Sequence, residues 1–268
     1  MKRGRVIPKA PGWTRVIARF HSWLVSFLGR ALAALGLCLV WAAPALAGPP
    51  YVSDDPEPTD LGHWEVYGFV SATGLLGETA GEGGFDINYG AAKDLQLTAV
   101  VPIDFQSPGQ TGLGDIELAV KYKFLHQSAG TLTPDVAFFP RLFAPTASHR
   151  DGPAQVGVLL PLWAQKDIGP WSVFGGGGYD INPGPDNRNF WLTGLAVTRA
   201  LGDRWSLGGE IYRQTADTND GRAFSGVNIG ASYKLTDHWT LMAAGGPGVE
   251  NARQEGRYAF YAALLATY

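Results

Sequence analysis

Cysteine is almost missing from this 268-residue chain: the one example, Cys38, sits in the N-terminal leader. Removal of that leader leaves no disulfide and no thiol chemistry. Methionine is nearly as scarce, with 2 in the chain, and helix formers are few beside 36 Gly, 9 Trp, 10 Tyr and 13 Phe. That balance points to an all-β chain with many turns, of a length suited to one large domain. Near-neutral hydropathy does not argue against a membrane protein, because barrel strands are apolar on one face only. Paired histidines are lacking too. His63, His126, His149 and His238 have no second His two to four residues away, so nothing supports a metal site.

Residues 1–47 read as a secretion signal. Lys2, Arg3, Arg5, Lys9, Arg15, Arg19 and Arg30 precede an apolar run from Ala31 to Ala43, and Ala45-Leu46-Ala47 is an A-x-A cleavage site. Cys38 does not suit a lipid anchor, since Leu37 stands where a small residue is required. Cleavage after Ala47 removes all seven of those cations and no acid. The remainder holds 14 Lys and Arg against 24 Asp and Glu, a net charge of −10. Nucleic-acid and anionic-lipid partners are therefore not expected.

Residues 48–62 carry four prolines and four acids, and predict an irregular segment that enters the lumen as a plug. From 63 to 268 the chain alternates strand-like runs with connections. Strands are expected at 64–73, 84–91, 95–105, 115–125, 135–144, 154–165, 171–180, 189–199, 204–215, 223–234, 239–246 and 257–268. Most approach the length that crosses a bilayer with tilt. Connections 74–83, 106–114, 145–153, 181–188, 216–222 and 247–256 are long and rich in Gly, Pro, Asp or Asn. Those between them are tight, except 126–134. Long loops at one end and short turns at the other fit an up-and-down transmembrane antiparallel β-barrel of about 12 strands.

The short turns share a phrase: L-G-H-W ends at Trp64, I-G-P-W at Trp171, L-G-D-R-W at Trp205 and L-T-D-H-W at Trp239. Tyr268 ends the last strand at the same level. These five predict an aromatic girdle at the periplasmic interface. The last stretch, Tyr258 to Tyr268, alternates with period two and reads as the strand that closes the barrel. Parity then selects the lumen. Glu65, Tyr67, Phe69, Asp86, Asn88, Asp104, Glu117, Lys121, Arg141, Trp163, Glu210 and Asn228 are its expected lining. Lys123, Phe139 and Gln214 are also expected to face inward, and strand 189–199 is apolar on both faces. Carboxylates paired with Lys or Arg across the lumen are the simplest reason for that mixture of charges.

Three stretches together resemble one family: G-P-P-Y-V-S-D-D-P-E-P-T-D-L-G-H-W-E-V-Y (48–67), G-L-G-D-I-E-L-A-V-K-Y-K-F (112–124) and the aromatic C-terminus. It is the outer-membrane transporter family associated by name with the meta-cleavage pathway of phenol degradation. The resemblance implies an outer-membrane β-barrel that passes small, often aromatic or hydrophobic, molecules, and it supplies no catalytic residue.

Other chemistry finds little footing. Gly175–Gly178 lacks the Lys-Ser/Thr of a phosphate loop, and more simply leaves room for close backbone approach. Residues 217–221 lack calcium-loop spacing. His149 with Ser148 or Ser107 is the one candidate for a lipid hydrolase. The expectation is thus a porin-like passive channel of the bacterial outer membrane, without cofactor or catalysis. It would meet the secretion translocon and the barrel-assembly machinery during biogenesis, then lipid and a small-molecule solute. A closed structural or surface-interaction barrel is the alternative, and an outer-membrane lipid hydrolase the third reading.

Overall fold

The computed structural model describes residues 50–75, 77–149 and 154–268. The expected signal and its cleavage site lie outside the described residues. Strand segments follow in the order β1 (Trp64–Leu75), β2 (Glu78–Ala92), β3 (Leu95–Ser107), β4 (Thr111–Leu113), β5 (Ile116–Leu125), β6 (Asp135–Phe138) and β7 (Arg141–Ala144). The second half is β8 (Gly157–Ile168), β9 (Trp171–Ile181), β10 (Phe190–Leu201), β11 (Trp205–Gln214), β12 (Phe224–Lys234), β13 (Trp239–Glu250) and β14 (Tyr258–Thr267).

All of them belong to one antiparallel sheet, and β1 pairs with β14, so the sheet closes. Trp64 and Tyr268 exchange backbone hydrogen bonds of 2.9 Å in both directions at the seam. Two pairs of segments are halves of single staves. β4 and β5 both pair with β3 and are offset at Gly114, while β6 and β7 flank Phe139-Pro140 and share β5 and β8 as neighbours. Pro140 has no N–H to offer the ladder. Its carbonyl still accepts from Val120 at 3.2 Å, and Phe139 donates to Pro161 at 3.1 Å, so the register continues through the break. The result is a closed barrel of 12 staves. Closure is the way a sheet satisfies its backbone where lipid offers no partner. Among the described residues no helix is long and apolar enough to cross a membrane.

Side chains divide by parity. Leu118, Val120, Tyr122 and Phe124 of β5 are exposed on the outer wall, while Lys121 between them is 5% exposed. On β12, Ile229 is 80% exposed beside buried Asn228. Charge inside and apolar surface outside is the reverse of a soluble protein and suits a lipid boundary. Trp64, Trp171, Trp205, Trp239 and Tyr268 all stand exposed at the end with the tight turns. Trp64 packs on Tyr89 at 4.6 Å between ring centroids and Trp205 on Tyr233 at 4.5 Å.

Two expected long loops are strand instead. β1 and β2 run to Leu75 and from Glu78, replacing most of the loop expected at 74–83. β3 and β4 likewise take up much of 106–114, and β13 extends to Glu250. The glycines that suggested turns serve the sheet. A Cβ on Gly81 would run into the Ser71 carbonyl, and one on Gly84 into that of Val101. Gly175–Gly178 of β9 allow the same close approach to β8 and β10.

Candidate functional site

Residues 50–62 stay out of the sheet apart from a single bridge between Leu61 and Gly90, and they bond to inward side chains on several staves. Three prolines, Pro50, Pro56 and Pro58, deny the segment regular pairing partners, so its amides and carboxylates look to the wall. Glu210 of β11 accepts hydrogen bonds from the amides of Val52 (3.1 Å) and Ser53. Asp54 bridges Lys121 of β5 at 3.1 Å and Arg141 of β7 at 2.9 Å. Asp55 lies 3.7 Å from Lys121, and Glu57 accepts from Lys123 at 2.6 Å. Gln96 of β3 accepts from the Thr59 amide at 2.8 Å.

Small residues on the wall make space for these contacts. A Cβ on Gly194 of β10 would run into Ser53 Oγ; on Gly208 of β11 or Gly230 of β12 it would meet Tyr51. Tyr51 also rests against Phe174 of β9, with ring centroids 6.0 Å apart. Strand 189–199, ambiguous in sequence, therefore turns Gly194 and Ala196 inward and Trp191, Leu195 and Val197 outward.

Between the segment and the wall, three cavities follow one another along the bore. An outer vestibule of about 700 Å³ is lined by Asp104, Asp115, His149 and the loop around Asn187. A middle chamber of about 680 Å³ has Phe69, Glu82, Asp86, Arg141 and Tyr261 on its wall. An inner chamber of about 440 Å³ has Glu65, Tyr67, Asn88, Gln96 and Lys121. Glu82, Asp104 and Glu117 border both the vestibule and the middle chamber. Asp54, Asp86, Glu117 and Arg141 border both the middle and inner ones. The Asp54–Arg141 pair stands at that second junction.

Of the twelve expected lining residues, ten border a cavity: Glu65, Tyr67, Phe69, Asp86, Asn88, Asp104, Glu117, Lys121, Arg141 and Asn228. Trp163 and Glu210 face inward but are covered. Trp163 is 1% exposed and packs with Ala119 and Phe139, and Glu210 lies under the segment. Phe139 is flanked by two cations, Lys121 at 4.7 Å and Arg141 at 4.4 Å from its ring centroid, an arrangement that favours both charges over the ring face.

The charge pairing differs from the cross-lumen pattern expected. Only Arg141–Glu117 (3.7 Å) and Lys123–Asp135 (4.0 Å) join wall to wall among the described residues near these cations; the shorter pairs go to Asp54 and Glu57. Asp54, Asp55 and Glu57 were not among the expected lining residues. Their signal was an acidic segment ahead of strands that carry inward cations, Lys121, Lys123 and Arg141. Tyr261 and Met242 were missed because an aromatic or thioether alternating with alanines looks the same on either face.

The hydrolase pair does not assemble among the described residues. Ser148 Oγ accepts from the Leu113 amide at 3.0 Å, and no hydrogen bond joins Ser148 or Ser107 to His149. No group of three His, Cys, Asp or Glu there is placed to hold a metal ion.

Comparison with known proteins agrees with this architecture. No curated protein matches the sequence. The fold is similar to a crystal structure of an outer-membrane channel from Pseudomonas putida F1, at a TM-score of 0.63 and 16% identity, over 80% of this chain and 98% of that one. The outer-membrane phospholipase A of Escherichia coli is also similar, at a TM-score of 0.44 and 14% identity, over 81% of this chain and 92% of that one. The closed sheet, apolar exterior and aromatic girdle describe a bacterial outer-membrane β-barrel. A family model matches residues 50–263, from the lumenal segment almost to the closing strand, and the chain belongs to the family described as "Putative MetA-pathway of phenol degradation".

Proposed function

We propose that this barrel is a passive channel for small molecules, narrowed by residues 50–62 acting as a plug. The observation that carries the reading is the row of three cavities from the outer loops to the periplasmic turns, interrupted where Asp54 meets Arg141. A barrel of 12 staves is wider than the filled eight-strand kind and narrower than an open porin, so one inserted segment suffices to close most of the bore. The segment is held by charge pairs and amide–carboxylate bonds, which can be exchanged for water, while apolar packing of the segment is limited to Tyr51 and the prolines.

The family description and the similar Pseudomonas channel support small, including aromatic, solutes as cargo. Tyr67 and Phe69 give such a solute apolar surface along the wall. On this reading the protein performs no catalysis, and its export and assembly partners are the secretion translocon and barrel-assembly machinery. Uptake into liposomes tests it. Proteoliposomes should admit small neutral aromatics such as phenol or benzyl alcohol faster than protein-free vesicles do, corrected for bilayer leak. Uptake equal to the leak, with and without residues 50–62, would favour the closed-barrel alternative.

A further inference from the structure

We infer that the middle chamber selects small organic cations, an aromatic or apolar body carrying an ammonium group, and disfavours anions. The inference rests on the channel reading and assigns the charge of its solute.

Charge is the first observation. Five carboxylates, Asp54, Glu82, Asp86, Asp104 and Glu117, line the chamber against one guanidinium, Arg141. Asp54 is taken up by Arg141 and Lys121, and Glu117 lies 3.7 Å from Arg141. Among the described residues, Glu82, Asp86 and Asp104 have no cation within ion-pair distance. A low-dielectric wall focuses their field into the bore, concentrating counter-ions and repelling anions.

The second observation is independent of charge. Asn228 is 6% exposed and lies on the same chamber, and its Oδ1 has no hydrogen-bond partner. Its Nδ2 donates to Glu210 Oε2 at 3.0 Å, and an ionised carboxylate only accepts. The amide cannot turn over without losing that bond. That unpartnered acceptor is buried beside the chamber, and a solute ammonium N–H that reached it would satisfy it where a carboxylate could not.

Ring faces are the third. Phe69 and Tyr261 stack at 6.2 Å with an interplanar angle of 13°, and both border the chamber. Their faces suit an aromatic body and add cation–π attraction for its charged group. Acid, acceptor and ring face in one cavity describe an ammonium-bearing solute better than a neutral or anionic one.

Benzylammonium and benzoate, of nearly equal size and opposite charge, test this in planar bilayers. Reversal potentials under gradients of benzylammonium chloride and of sodium benzoate give each ion's permeability relative to a common reference. The expected preference is about tenfold for benzylammonium, the low end of electrostatic focusing. Glu82→Gln with Asp86→Asn, which keep shape and remove charge, should bring that ratio toward one while KCl conductance persists. If the double variant forms no pores, Asp104→Asn alone, on the more open part of the wall, should lower the ratio by a smaller factor. A conducting wild type that passes benzoate as readily as benzylammonium overturns the inference and leaves the channel intact. Absence of conductance to any ion, with and without residues 50–62, overturns the channel reading and the inference together.

Discussion

Gly194 shows how much of this lumen is decided by single side chains. A Cβ there runs into Ser53 Oγ of the segment, and Ser53 is fully buried. Gly194→Val should push the segment off β10 without touching the sheet ladder. The expected result is a several-fold rise in single-channel conductance at unchanged barrel melting temperature. An unchanged conductance would mean that the segment tolerates the side chain. Asp54 acts in the opposite sense, joining buried Lys121 and half-buried Arg141 from neighbouring staves. Removing one member of a buried pair costs on the order of 3 kcal/mol. Asp54→Asn should therefore speed hydrogen exchange of the amides at 52–59 while the strand amides keep their protection.

At the scale of elements, most staves were legible and two outer loops were not. Period-two alternation placed β5 and β3 because lipid and lumen demand opposite chemistry on opposite faces. It also set Lys121 and Glu117 inside and Leu118 and Phe124 outside. Glycine misled at 74–83, since a turn and a close strand crossing both call for a missing Cβ, and only the neighbouring strand tells them apart. Gly176→Val checks the crossing on β9: a Cβ there meets the Leu162 carbonyl, so the variant should fail to reach the folded, heat-modifiable form on electrophoresis. The segment was legible as irregular and acidic, but its docking was not. Proline and charge say what it cannot pair with, and the inward cations that receive it lie more than sixty residues away.

Docking of that element should depend on pH through Asp55. Burial pushes its carboxyl up from 3.8 to about 7, against the pull of the Lys121 ammonium. The docked segment therefore holds a proton more tightly than a released one. Asp55's contribution to docking is fully present below about 3.8 and is lost as pH rises through about 7. Channel opening should be more frequent at pH 8 than at pH 5.5, and Asp55→Asn, which imitates the protonated group, should flatten that part of the dependence. A wild-type opening probability that falls from pH 5.5 to pH 8 would contradict this sign.

For the whole molecule, closure and obstruction are separate devices. The β1–β14 seam joins the ends of the sheet and satisfies its edges, so closure draws nothing from the segment. The segment then crosses the bore, with Tyr51 and Ser53 against β9–β12 and its acids on β5 and β7, and leaves three chambers beside it. Sequence parity gave access to the wall, but the division of the bore depends on contacts between distant residues that no local pattern records. Single-channel conductance of the protein with and without residues 50–62 tests the central claim most directly. The account predicts small, infrequent openings with the segment present and a steady conductance at least several-fold larger without it. A barrel that passes neither ions nor small solutes in either form would contradict it.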